Sequence, residues 1–117
     1  TAVTYGDRRH LWLSGTASID AQGQIVHPGD VLGQLDRTLE NMAALLADGG
    51  ATLADMTHML IYLRDSADRR PVERAFVRRF PQLPYVILRA PVCRPGWLIE
   101  LEGTAVVPAA HPGASPY

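Results

Sequence analysis

Two glutamates near the end of the chain are the first candidates for chemistry. Glu100 and Glu102 lie in the run 97–107, whose composition is typical of a β-strand. Alternate residues of a strand point to the same face, so the two carboxyl groups lie about one pleat repeat apart on one face. Each carboxylate raises the proton affinity of the other, as a general acid requires. Pairing with arginines across an interface, or exposure to water, remains an alternative for both.

Cys93 and two arginines precede these glutamates, in or beside a proline- and glycine-bearing segment, 90–96. Arg94 would favour the thiolate of Cys93, which is the nucleophilic form of cysteine. The alternative is a half-buried cysteine that packs as a small apolar side chain. Arg89 and Arg94 are candidates for binding carboxylates, because a guanidinium holds a carboxylate through two parallel hydrogen bonds. An interface salt bridge is the alternative role for both arginines.

Aromatic, histidine and small residues give weaker signals. Tyr85 and Trp97 could stack on a cyclic ligand, although an aromatic residue at the start of a strand commonly packs in a core or an interface. His58 lies within an apolar strand, which favours a core histidine bonded to the backbone over a catalytic one. Gly15 and Thr16 lie in a small-residue strand end that is typical of a tight turn.

Composition excludes several classes of protein. The chain has 117 residues, of which 47% are hydrophobic and 20% charged, as expected for one globular domain. Its net charge of −1 offers no basic excess for nucleic acid. No apolar run approaches the roughly 20 residues needed to cross a bilayer, so we expect a soluble, cytoplasmic protein.

Cysteine, histidine and lysine usage narrows the chemistry further. The single cysteine forms no internal disulfide, and four scattered histidines lack zinc-site spacing, so we expect no metal and no cofactor. All eleven basic residues are arginine, which excludes a lysine Schiff base.

Periodicity predicts an α+β domain over residues 1–107, followed by a tail over 108–117. Asp30 opens one helix that Gly49 ends, and Asp68 caps a second helix that Pro81 ends. The predicted strands are 2–5, 10–15, 57–64, 85–89 and 97–107, with a short edge segment at 25–26. The strand 57–64 is apolar on both faces and is predicted to be central. Five or six strands with both helices on one face leave the other face to be covered, commonly by self-association.

Four motifs, taken in order, resemble the RidA/YjgF family, which is also described as endoribonuclease L-PSP-like. They are Ser14-Gly15-Thr16-Ala17, Leu39-Glu40-Asn41, Tyr62-Leu63-Arg64-Asp65 and Ile99-Glu100-Leu101-Glu102. The resemblance covers residues 5–107. It implies a chorismate-mutase-like fold and a homotrimer whose sheets form a central barrel. It also implies pockets at the three subunit interfaces that accept small carboxylates.

Within that family, the segments 15–19, 27–30 and 88–100 are more specifically similar to the C-terminal half of chorismatases, which hydrolyse chorismate in secondary metabolism. The resemblance to the wider family implies that Glu100 acts as an acid or positions a water molecule, and that Gly15 and Thr16 line the pocket floor through their backbone. The resemblance to chorismatases implies that Cys93 is the nucleophile of those chorismatases that make 3-hydroxybenzoate. Chorismatases carry an additional N-terminal domain of related fold, so the chain is expected to be either such a C-terminal domain or a stand-alone relative.

A departure from the family pattern keeps other functions open. The RidA imine deaminases carry an arginine just after the proline that opens the penultimate strand, whereas Pro84 is followed here by Tyr85 and Val86. Arg89 or Arg94 would have to replace it. Chorismatase-like hydrolysis of a small cyclic carboxylate is therefore the leading hypothesis. Enamine or imine deamination and non-catalytic metabolite binding are the alternatives, and a nuclease role ranks last.

Overall fold

The computed structural model describes residues 1–116 and confirms the α+β class. The elements are β1 (Ala2–Thr4), β2 (Arg8–Thr16), α1 (Val31–Asp48), β3 (Met56–Leu63), α2 (Arg69–Arg79), β4 (Tyr85–Arg89) and β5 (Ile99–Pro108). The strands form one mixed sheet in the order β1-β2-β5-β3-β4. β3 and β4 are parallel and are joined through α2, and the other neighbours are antiparallel. In residues 1–116, no helix has the length and apolar character that crossing a membrane requires.

The middle of the sheet is β5. The prediction that residues 57–64 form the central strand is wrong, because β5 pairs with β2 along one edge and with β3 along the other. β3 is nonetheless an inner strand. The segment 25–26 makes a single bridge, between Ile25 and Ile19, so it does not form a sixth strand.

The two helices begin differently. The Asp30 carboxylate accepts a hydrogen bond from the Gly33 amide at 3.0 Å, so α1 is capped where the sequence predicts. Asp68 lies at the N-cap of α2, as predicted, but its side chain makes no capping hydrogen bond. Asp65 accepts from the Ala67 amide at 2.9 Å and caps the short 3-10 turn that leads into α2.

Both helices pack on the same face of the sheet, and the core lies between them and the strands. Its fully buried large side chains include Leu39, Met42, Leu46, Met59, Ile61, Leu63, Val72, Phe76, Ile99 and Leu101. Burying each apolar side chain of this size contributes about 1.5–3 kcal/mol relative to leaving it exposed. This one-sided core accounts for the strict alternation of buried and half-buried residues along most of β5.

The opposite face of the sheet is uncovered in the described chain, as the sequence predicts. Trp12, Val86 and Leu88 are each at least 40% exposed there. His58 is also exposed on this face, and its ring nitrogen lies 3.1 Å from the Thr57 hydroxyl. The expectation of a core histidine is therefore wrong, because residue 58 falls on the outward side of β3. Large apolar side chains exposed on one face of a sheet are typical of a surface that another molecule covers.

A buried glutamine fastens the loop before β5. Gln34 on α1 is fully buried, and its amide nitrogen donates to the carbonyls of His27 at 3.2 Å and Gly96 at 3.1 Å. Its amide oxygen accepts from the Leu98 backbone at 2.9 Å. β5 starts two residues later than predicted, because the Leu98 amide bonds to this side chain instead of to a neighbouring strand.

We expect Gln34→Ala to lower the free energy of unfolding by about 2–4 kcal/mol, because it leaves the Gly96 carbonyl and the Leu98 amide without a protein partner, whereas the His27 carbonyl keeps its bond from the Asp30 amide. Urea denaturation measures the change. Gln82→Ala, at an exposed position, is the control and should change stability by less than about 0.5 kcal/mol. A loss no larger than that of the control would show that Gln34 does not hold the loop.

Candidate active site

A β-bulge interrupts the pairing of β2 with β5. Leu13 pairs with Gly103 and Thr16 with Leu101, so three steps along β2 match two along β5. Bulges bend a strand and redirect its backbone, and they are common beside functional sites. Here the extra residue places the backbone of Gly15 beside the start of β5.

Gly15 is in direct contact with the Glu100 carboxylate. A Cβ atom built on Gly15 would overlap that carboxylate. Gly15 does not have a positive φ angle. Glycine is therefore required at this position by the close approach of the carboxylate, and not by an unusual backbone conformation. Gly15 and Glu100, which the sequence places far apart, therefore belong to one site.

The Glu100 carboxyl is half-buried on the uncovered face of the sheet. Burial raises its pKa above the ordinary value for glutamate, and the charge of neighbouring Glu102 raises this pKa further. Glu102 shares the face, as the alternation predicts. A carboxyl with a raised pKa remains protonated to higher pH, so Glu100 is suited to donate a proton.

Tyr62 is a third member of this group. It pairs with Glu100 across the β3–β5 ladder, and its hydroxyl donates a hydrogen bond to the Glu102 carboxylate. That bond is the first cause of the raised pKa of Tyr62; burial and the charges of Glu102 and Glu100 add to it. The sequence contained Tyr62 in a family motif, but only the register of β3 against β5 shows that it meets the glutamates.

An open cleft of about 500 Å³ adjoins Gly15. Its lining includes Gly15, Thr16, Arg37, Asn41 and Trp97. The cleft lies between the end of β2 with the following loop on one side and α1 on the other. Gly15 both lines the cleft and touches the Glu100 carboxylate, which is itself outside the cleft lining.

Two side chains of α1 hold the floor of the cleft. The Asn41 amide donates to the carbonyls of Ala17 at 2.9 Å and Ile19 at 3.0 Å, and the Arg37 Nε donates to Ile19 at 3.2 Å. Arg37 is the one arginine among the residues that line the cleft, and its guanidinium also lies 3.4 Å from Glu40. The sequence reasoning missed Arg37, although its spacing of four from Asn41 puts both on one helix face.

Arg64 organises the loop that carries Cys93. Its Nε donates to the Trp97 carbonyl at 2.8 Å, and one terminal nitrogen donates to the carbonyls of Val92 at 2.9 Å and Arg94 at 2.7 Å. A guanidinium provides five donors in a fixed planar geometry, which suits three carbonyls of one loop. Arg64, which belongs to the third family motif, therefore has a structural role.

Cys93 lies between two of these anchored carbonyls and is exposed. The side chain of the adjacent Arg94 donates to the Gly23 carbonyl at 2.6 Å, and its guanidinium carbon lies 5.2 Å from the centre of the Trp97 ring. Arg94 thus connects the loop before β5 to the loop after β2. This bracing is its observed role, beside the predicted binding of a carboxylate.

Within one chain, the structure does not bring Tyr85 or Arg89 to the Glu100 side of the sheet. The Tyr85 hydroxyl donates to Glu73 at 3.0 Å, and its ring lies 5.2 Å from that of Phe76 on the helix-covered side. Arg89 is exposed at the end of β4, and its side chain lies on the same side of the strand as that of Tyr85. Both residues are therefore separated from Glu100 by the sheet itself.

A family model described as endoribonuclease L-PSP matches residues 2–107. The chain belongs to this family. It is the RidA/YjgF family that the four motifs resemble.

Two named enzymes and one solved structure show the range of its relatives. The chain is 30% identical over 100 residues to the 3-aminoacrylate deaminase RutC of Acinetobacter baylyi. This alignment covers 83% of the chain and 79% of the deaminase. It is 33% identical over 103 residues to a chorismatase of Streptomyces hygroscopicus, covering 80% of the chain but only 30% of the chorismatase. A YjgF/YER057c/UK114 family member from Mycobacterium tuberculosis superposes with a TM-score of 0.72 at 26% identity, covering 91% of this chain and 84% of that one.

We expect Gly15→Ala to displace the Glu100 carboxyl, because the new methyl group would occupy its position. A displaced carboxyl is more hydrated, so its pKa falls toward the ordinary value. Carbon-13 NMR titration of labelled glutamate side chains measures this change. Gly113→Ala, where a Cβ would have no atom within 4 Å, is the matched control. An unchanged Glu100 titration in Gly15→Ala would contradict the assigned contact.

Proposed function

We propose that the chain is a small-molecule enzyme in which Glu100 donates a proton to an unsaturated small carboxylate. The observation that carries this proposal is the half-buried Glu100 carboxyl, which packs against Gly15 at the cleft and has a raised pKa. A positioned acid of this kind accelerates proton transfer by about 10²–10⁴-fold.

Chorismate is the leading substrate. Its enolpyruvyl group is an enol ether, so protonation of the terminal carbon makes the ether-bearing carbon electrophilic. Water adds to that carbon and gives up a proton, which restores the acid. The resulting hemiketal then loses its bond to the ring oxygen, which takes up a proton, and pyruvate and a dihydroxycyclohexadiene carboxylate are released. Similarity to a chorismatase supports this choice.

Substrate carboxylates need cationic partners. No arginine on β3, β4 or β5 shares the face of Glu100, and Val86, where the imine deaminases carry arginine, lies on that face and is 49% exposed. We therefore assign carboxylate binding to Arg37 in the cleft and to Arg94 at its Trp97 side, with Arg89 available only to a neighbouring subunit.

Deamination of an enamine is the second candidate, which the similarity to RutC favours. An enamine accepts a proton on carbon as an enol ether does, water adds to the resulting iminium carbon, and ammonia leaves. The same acid, Glu100, would serve both reactions. Val86 weighs against this candidate, because it removes the cation that the imine deaminases place on this face.

We further propose that the uncovered face is buried in a homotrimer, so that each cleft is completed by a neighbouring subunit. The exposed Trp12 on β2 and the exposed Val86 and Leu88 on β4 support this arrangement, since they lie on the same face of the sheet as the two glutamates.

Incubation of the purified chain with chorismate tests the activity, with chromatography for pyruvate, the dihydroxycyclohexadiene carboxylate and 3-hydroxybenzoate. We expect Glu100→Gln to lower turnover by about 10²-fold or more, and Asp36→Asn, on the exposed side of α1, to leave it unchanged. Because Glu100 must be protonated, kcat/KM should fall as the pH rises through its raised pKa. Cys93→Ala should change the product distribution if the thiol attacks a ring intermediate.

Turnover that survives in Glu100→Gln would contradict the assigned acid. Ammonia release from 3-aminoacrylate without any conversion of chorismate would assign the deaminase instead. Binding of either compound without turnover would assign a metabolite-binding protein.

Light scattering after size-exclusion chromatography tests the assembly. We expect the wild-type chain to have the mass of a trimer and Trp12→Glu to dissociate it, because a charge would then be buried in the interface. Val77→Glu is the matched control, since Val77 on α2 is 39% exposed and Trp12 is 40% exposed. Equal masses for the two variants would contradict an interface on the sheet.

A further inference from the structure

Tyr62 distinguishes two carboxyl groups that the sequence makes nearly equivalent. Glu100 and Glu102 lie two residues apart on one strand face, and two such groups ordinarily share their protons. The Tyr62 hydroxyl has one proton to donate, and it donates to Glu102 although Tyr62 pairs with Glu100 across the ladder. Within residues 1–116, no hydrogen bond reaches the Glu100 carboxyl, which packs against Gly15 instead.

We propose that Tyr62 is a positioning residue that keeps Glu102 ionised and thereby directs the acidic proton of the pair to Glu100. A donated hydrogen bond stabilises the negative charge on Glu102. That charge makes ionisation of the nearby Glu100 unfavourable. This inference rests on the proposed function only where it makes Glu100 the proton donor to a substrate. The distribution of protons between the two carboxyl groups does not require a substrate.

Other titratable or charged groups share this face, and two of these residues, His58 and Thr1, line one cleft with Glu102. The titratable or charged ones are His58 on β3, Arg8 and His10 on β2, and the amino group of Thr1, which donates to the Trp12 carbonyl. Arg8 and His10 pair with residues at the far end of β5, and His58 pairs with Thr104. β4 presents only Val86 and Leu88 to this face. Tyr62 is thus the donor that contacts the pair.

The electrostatic directions agree with this distribution. Burial and the charge of Glu102 both raise the pKa of Glu100. The bond to Glu102 is the largest cause of the raised pKa of Tyr62, which therefore remains a neutral donor at neutral pH. A neutral Tyr62 that donates to Glu102, beside a Glu100 carboxyl whose pKa is raised, is the arrangement that the proposal requires.

Carbon-13 NMR titration of the full chain, labelled at the glutamate carboxyl and tyrosine ring carbons, tests the proposal without substrate. In the wild type we expect the Glu100 midpoint to lie above the ordinary value for glutamate. Tyr62→Phe keeps the ring and removes the donor, so the Glu100 midpoint should move to lower pH. In Glu102→Gln, the Glu100 and Tyr62 midpoints should both fall toward ordinary values.

Tyr85→Phe is the matched control. It removes a phenol hydroxyl that also bonds to a glutamate, but on the helix-covered side of the sheet, so the Glu100 curve should be unchanged. An unchanged Glu100 curve in Tyr62→Phe would overturn the proposal. A Glu100 midpoint that moves in Tyr62→Phe, together with full turnover by Glu100→Gln, would instead overturn the proposed function and leave the role of Tyr62 standing.

Discussion

The alternation of β5 is the constraint on which the other features depend. Ile99, Leu101 and Ala105 point into the core, so Glu100 and Glu102 have to point to the opposite face. A shift of one residue in the register would bury both carboxyls among the helices and expose the apolar side chains. Because β5 is the middle strand, it is held in register from both edges. The location of the acid is therefore determined by the same packing that stabilises the fold.

The loops around the cleft are held by buried or half-buried polar side chains, and not by secondary structure. Gln34, Asn41 and Arg64 together bond to eight backbone groups of segments that lie outside the strands and helices. Buried backbone groups without such partners would be costly. The hydrogen bonds of Asn41 and Arg64 explain why two of the family motifs lie on α1 and at the end of β3, far in sequence from Glu100.

Periodicity was sufficient to predict the elements and the shared face of the two glutamates, because both follow from local alternation of apolar and polar residues. Periodicity could not give the order of the strands across the sheet, so the sequence predicted β3 as the central strand, whereas the central strand is β5. It could not place His58 or Tyr85 either, because the face of a strand that is buried depends on pairing with distant residues. The contact of Gly15 with Glu100 depends on a bulge, and the contact of Tyr62 with Glu102 depends on register; neither leaves a local pattern.

The uncovered face also has a thermodynamic consequence. A surface that is covered only by association couples folding to concentration, since any partner that binds the folded chain alone stabilises it by mass action. In the proposed trimer, dilution would return the exposed apolar side chains of this face to water, and the Glu100 carboxyl would regain hydration. The acidity of this group would then vary with the amount of protein in the solution as well as with its pH.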